Sequence, residues 1–164
     1  MKSSKDSPKM DGEQERRGRE SFARQGLMRH LGAEVARIEP GRCEIRVRYR
    51  PELTQQHGFF HAGVTAAIAD TASGYAAFTR MDADSSVLTV EYKINLLAPA
   101  EGEFLIARAR VVRSGKTIKV CATDVFGVKG GEEKLCATML ATVMALPGRP
   151  DFPQEKAGAS GGDR

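Results

Sequence analysis

The sequence predicts an α+β domain of order β-β-α-β-β-β-β, an antiparallel sheet whose apolar face is covered by one long buried helix. Three observations carry that expectation. Ala62 to Phe78 is dominated by Ala, with Val64, Ile68, Tyr75 and Phe78 among it, a good helix former that is apolar almost all round. Segments before and after it alternate apolar and polar residues with the period of a half-buried strand. The chain has 164 residues, of which 41% are hydrophobic, enough for one core but not comfortably for two.

The elements follow in order. Residues 1–20 are polar, lack aromatics and show no hydrophobic period, so they read as a disordered tail. Ser21 is placed to cap a short amphipathic helix from Phe22 to Leu31, with Leu27 and Met28 on its apolar side. A strand over Ala33–Glu39 ends at the turn pair Pro40-Gly41. Arg42–Arg50 alternates cleanly, with Cys43, Ile45, Val47 and Tyr49 on the inward face, and Pro51 closes it. After the helix, Val87–Leu97 sets Leu88, Val90, Tyr92, Ile94 and Leu96 against Thr89, Glu91, Lys93 and Asn95. Glu103–Arg113 and Thr117–Val128 follow, then Glu133–Leu146, apolar on both faces and so expected in the sheet interior. Short turns join these four segments, which suggests a meander. Residues 148–164 are rich in Gly and Pro and read as a second disordered tail, leaving 21–147 as the folded unit.

Composition removes several classes. The net charge of +4 comes from signs that alternate along the chain, so no basic arm for nucleic acid is expected. No apolar run approaches the roughly 20 residues of a membrane-spanning helix, and the charged N-terminus does not read as a secretory signal. Three widely spaced cysteines, Cys43, Cys121 and Cys136, suit neither a disulfide framework nor a zinc site. The expected setting is a reducing cytoplasm, with no metal.

Chemistry concentrates around the helix. The N–H groups of Ala62 and Gly63 lie at its N-terminus, where the first donors have no helical partner and the dipole favours negative charge, as on a polarised carbonyl oxygen. Asp70 lies inside an apolar helix, where desolvation raises a carboxyl pKa and makes a better base. Gln55 supplies an amide that orients water without titrating. Ala62 and Asp70 are eight residues apart, about 12 Å of helical rise, so one carbonyl is reached by both only if each comes from a different subunit of a two-fold dimer.

At these residues the chain resembles the hotdog-fold acyl-CoA thioesterases, in particular the phenylacetate-degradation (PaaI-like) group and its 4-hydroxybenzoyl-CoA thioesterase relatives. The likeness spans about Gly32 to Leu146. It rests on His61-Ala62-Gly63 followed by Asp70, on Thr89-Val90-Glu91-Tyr92 leading to Ala98-Pro99-Ala100, and on Arg113-Ser114-Gly115-Lys116-Thr117. The resemblance implies that Asp70 is the nucleophile or general base and that the Ala62 N–H polarises the thioester carbonyl. It further implies that His61 orients the loop, that Gln55 stands near the attacking water, and that Thr89 holds water. Gly74 occupies a place where some relatives use Thr. Arg113, Ser114 and Lys116 fall where CoA phosphates are expected, and Lys and Arg are natural partners for them. The implied activity is hydrolysis of an acyl-CoA to free acid and CoA, with no cofactor beyond the CoA of the substrate. The implied assembly is a homodimer that pairs into a homotetramer. A non-catalytic acyl-CoA-binding module and a hotdog enoyl-CoA hydratase are the alternatives.

Overall fold

The computed structural model describes residues 12–149 and 151; the expected tails over 1–11, at 150 and from 152 onward lie outside the described residues. Helix α1 spans Gly12–Ala23 and α2 spans Gly26–Leu31. Strands β1 (Ala33–Glu39) and β2 (Arg42–Arg48) precede α3 (Ala62–Phe78). Strands β3 (Ser86–Leu96), β4 (Phe104–Ser114), β5 (Ile118–Lys129) and β6 (Glu132–Leu146) complete the chain. All six strands form one antiparallel sheet in the order β1-β2-β4-β5-β6-β3. The fold is the expected α+β hotdog, a sheet wrapped around α3.

The core follows from that wrapping. Ile68, Ala69, Ala72 and Ala76 of α3 are fully buried, as are Ile45 and Val47 of β2, Leu105 of β4, Val125 of β5 and Val143 of β6. The alanines let the strands come close to the helix. Each large aliphatic group withdrawn from water contributes about 1.5–3 kcal/mol.

Several expectations need correction. Disorder over residues 1–20 does not hold for residues 12–20. There Arg16 pairs with Glu20 at 2.6 Å and Arg19 with Glu15 at 2.9 Å, both one helical turn apart, and the helix docks through Phe22 and Gly18. A Cβ at Gly18 would lie 2.7 Å from Ile38 Cδ1, so a larger residue there would make the end of the Ile38 side chain turn aside. The helix expected over Phe22–Leu31 is instead split at Arg24-Gln25, and the Ser21 hydroxyl meets the Tyr75 hydroxyl at 2.9 Å rather than capping.

The sheet is a meander only through β4-β5-β6. Strand β3 pairs with β6 at the far edge, because α3 crosses beneath the whole sheet before β3 begins. The expected alternation in β3 also breaks. A register shift between Thr89 and Glu91 makes Val90 the extra residue of a bulge. Val87 and Thr89 share the helix side with buried Ala145 and Val143, whereas Tyr92, Ile94 and Leu96 return to that side beyond the bulge. Leu88 therefore faces outward with Met144, and Tyr49, expected inward, is 41% exposed.

Candidate active site

The loop before α3 sets its first turn. A 3-10 turn over Pro51–Leu53 is followed by a narrow loop closed by a bridge between Thr54 and Phe60. The Phe60 N–H donates to Ala100 O at 2.9 Å and the His61 N–H to Leu53 O at 2.8 Å, fixing the loop against Ala98-Pro99-Ala100. His61 then caps the helix, with φ −62° and ψ 141°, and its Nδ1 accepts the Gly63 N–H at 2.8 Å. A Cβ at Gly63 would lie 3.0 Å from that Nδ1, so glycine leaves the imidazole room to fold over the turn.

The two N–H groups expected to be free are thus not equivalent. That of Gly63 is occupied by His61 Nδ1. That of Ala62 has no partner among the described residues. Ala62 is exposed and lines a pocket of about 250 Å³ with Gln55, Phe59, Leu96 and Pro99. The Gln55 side-chain oxygen accepts the His57 N–H, which holds the amide beside this pocket. Thr65 also lines it, buried, with its hydroxyl unpaired among the described residues.

Asp70 opens into a different pocket, of about 260 Å³. Its carboxylate accepts the Thr89 hydroxyl at 2.8 Å, so Thr89 holds the carboxylate itself. Burial raises the Asp70 pKa above the ordinary carboxylate value, and the Thr89 bond draws it part of the way back. Val87 of β3 forms another wall, with Gln25, Leu27 and Met28 of the N-terminal segment. Tyr75 closes the far end, its hydroxyl meeting Ser21 at 2.9 Å and accepting from Gln25 at 3.3 Å.

The structure therefore gathers the expected residues into two sets. Gln55, His61 and Ala62 lie together, Asp70 and Thr89 lie together, and the sets open into separate pockets of one protomer. Arg113, Ser114 and Lys116 belong to neither. All three are exposed, Arg113 and Ser114 at the end of β4 and Lys116 in the turn to β5, and Ser114 borders a surface depression with Arg42, Arg80 and Arg110.

Two contributors escape a reading of the sequence. Buried Lys119 donates from Nζ to Gly115 O at 2.9 Å and Lys116 O at 3.0 Å, stapling the β4–β5 turn. Its signal is a lysine in phase with the inward residues Cys121, Thr123 and Val125. The walls from Gln25, Leu27 and Met28 leave no local signal, because only the docking of α1 and α2 brings them to Asp70.

Comparison with known proteins agrees with this architecture. The Thioesterase superfamily profile matches residues 57–134. A crystal structure of a thioesterase family protein from Silicibacter pomeroyi is 48% identical, covering 82% of this chain and 99% of that one, with a TM-score of 0.81. A 1,4-dihydroxy-2-naphthoyl-CoA hydrolase of Listeria monocytogenes is 26% identical over 95 residues, 58% of this chain and 77% of the relative. A Bacillus halodurans protein crystallised with CoA is 25% identical, covers 82% of this chain and 81% of that one, and has a TM-score of 0.68. This chain belongs to the thioesterase superfamily and is a thioester hydrolase of the hotdog fold.

Proposed function

We propose that the protein is an acyl-CoA thioesterase whose site is completed across a two-fold dimer. One observation carries this reading. The half-buried carboxylate and the free helix N-terminal N–H stand on one helix, eight residues and about 12 Å of rise apart, in separate pockets. An antiparallel partner brings the first turn of its α3 to Asp70. The partner's Ala62 N–H then polarises the thioester carbonyl, while Asp70 attacks its carbon or takes a proton from water held near Gln55. Attack by Asp70 breaks the acyl–sulfur bond and forms an acyl–Asp70 anhydride, which water hydrolyses to the free acid and the Asp70 carboxylate. On the general-base route the deprotonated water oxygen adds to the carbon directly, and on either route the CoA sulfur leaves as thiolate and is protonated.

The edge of β3 supports the dimer. Tyr92 and Leu96 lie on the helix side of the sheet yet are 47% and 56% exposed, and β3 has a strand on one side only among the described residues. A second copy covers both features. Leu88, Met144 and Ile118 form an apolar row across the outer face, and Leu140 lies near it, which supports pairing of dimers into a tetramer. The exposed end of β4 and the turn after it, with Arg113, Ser114 and Lys116, form the surface assigned to CoA phosphates. The relative crystallised with CoA supports that substrate class. The reaction calls for no cofactor besides the CoA of the substrate, and free, buried Cys43, Cys121 and Cys136 fit a reducing cytoplasm.

The test is thiol release from acetyl-, hexanoyl-, palmitoyl-, benzoyl- and phenylacetyl-CoA by wild type and Asp70→Asn. The account expects turnover of at least one member and a loss of about 100- to 10,000-fold in the variant, the worth of a positioned base. Stability separates this from misfolding. A raised folded-state pKa means the group's stabilisation is complete below the ordinary carboxylate range and is lost as pH rises through the folded value. At neutral pH the ionised carboxylate costs stability, so Asp70→Asn should melt no lower than wild type. Retained turnover in the variant contradicts the mechanism. Tight binding of intact acyl-CoA by wild type would favour a binding module, and hydration of crotonyl-CoA a hydratase.

A further inference from the structure

Gly74 is buried in α3, one turn beyond Asp70 on the same face. A glycine inside a helix is less stable than an alanine, so a buried one calls for a reason. The usual reason is close approach by a neighbour. At Gly18 in α1 a Cβ would press on Ile38 Cδ1 at 2.7 Å, and at Gly127 in β5 it would lie 2.1 Å from the backbone Glu101 O. Gly74 has no such neighbour: a Cβ built there meets nothing within 4 Å. The space beside it is the Asp70 pocket, which Gly74 lines together with Leu27, Met28 and Val87.

We infer that Gly74 sets the depth of an acyl pocket, in which a compact acyl group lies along α3 from Asp70, over Gly74, with Leu27 as its outer wall. The inference rests on the thioesterase reading above and gives that site a substrate class. The reacting carbon must sit at Asp70, so whatever enters the remainder of this pocket is attached to that carbon. Its walls mix apolar Leu27, Met28 and Val87 with polar Gln25, Thr71 and Tyr75 and include no lysine or arginine, which suits the acyl group rather than the phosphate-bearing arm. The volume of about 260 Å³ is below the roughly 300–1,000 Å³ typical of sites for drug-sized ligands. An acyl group of hexanoyl or benzoyl size is therefore favoured over palmitoyl. Leu27, 57% exposed, closes the pocket from outside without being part of the core.

The experiment compares wild type, Gly74→Ala, Gly74→Val and Leu27→Ala. It measures kcat/KM for acetyl-, hexanoyl-, benzoyl- and palmitoyl-CoA, Tm, and the affinity for CoA and for the non-hydrolysable thioether hexyl-CoA. Gly74→Ala should raise Tm. Gly74→Val should lower kcat/KM for hexanoyl- and benzoyl-CoA about 10- to 200-fold, the range for a hydrophobic pocket misfitted by a methylene or so, while acetyl-CoA changes little. Gly74→Val should likewise weaken hexyl-CoA but not CoA, a readout independent of turnover. Leu27→Ala should improve palmitoyl-CoA relative to hexanoyl-CoA. Equal losses on every acyl group, or an unchanged profile and unchanged hexyl-CoA affinity, would overturn the inference. A wild type that releases thiol from no acyl-CoA, yet discriminates hexyl-CoA through Gly74, would overturn the thioesterase reading and leave the pocket assignment standing.

Discussion

The first turn of α3 and its third turn face their surroundings with opposite chemistry. At the first, Ala62 is exposed and neutral, and its N–H is left over after His61 has taken the neighbouring donor. At the third, Asp70 is half-buried and acidic, with a raised pKa and one hydroxyl holding it. A backbone donor at a helix end polarises a carbonyl without being buried. A carboxylate gains basicity from burial, so the acid belongs inside the helix and the donor at its end. The separation follows from that division, and in the proposed two-fold dimer each turn completes a site with the other turn of its partner.

The largest way to break the comparison outside Asp70 itself is Ala62→Pro. Proline is favoured at the first helical position, and the extended backbone of His61 suits a residue preceding proline. The substitution therefore deletes the N–H and leaves the helix intact. Turnover should fall about 100- to 1000-fold, the cost of one oxyanion donor, with an unchanged circular dichroism spectrum.

A smaller effect sharpens the other half. Thr89→Val keeps the β-branched shape in β3 and removes the bond to Asp70. Because that bond lowers a pKa that burial raises, its loss should raise the pKa further. Activity needs the ionised carboxylate and falls as pH drops through that pKa, so the acid limb of the rate profile should move to higher pH. The plateau should fall about tenfold, the worth of one hydrogen bond to a charged group. An unmoved limb would mean that Thr89 does not act on Asp70.

The two turns also differ in how plainly the sequence announces them. The bounds of α3 and the isolation of Asp70 were legible, because an apolar Ala-rich run marks the helix and a single carboxylate in it stands out. Which of the two N–H groups is free was not, since it depends on the His61 ring turning back onto Gly63. Strand β2 read correctly through Val47 because β4 pairs with it without a register shift, the one irregularity beside it lying in β1 between Val35 and Arg37. Strand β3 did not, because one bulge residue, Val90, shifts the phase and puts Thr89 rather than Leu88 beside Asp70. Helix α1 was missed because its support is ion pairs one turn apart and tertiary docking, such as Gln14 Nε2 donating to Thr79 O at 2.9 Å. The pocket walls from α2 were hidden for the same reason.

The central claim is that each site takes Asp70 from one protomer and Ala62 from the other. Co-expression of Asp70→Asn and Ala62→Pro chains carrying different tags yields mixed dimers that can be purified and assayed for thiol release. If the site is shared, one site of each mixed dimer holds both lesions and the other holds none. Mixed dimers should then recover about half the wild-type turnover, as two-fold symmetry requires, while each parent stays inactive. Mixed dimers as inactive as their parents would contradict the account.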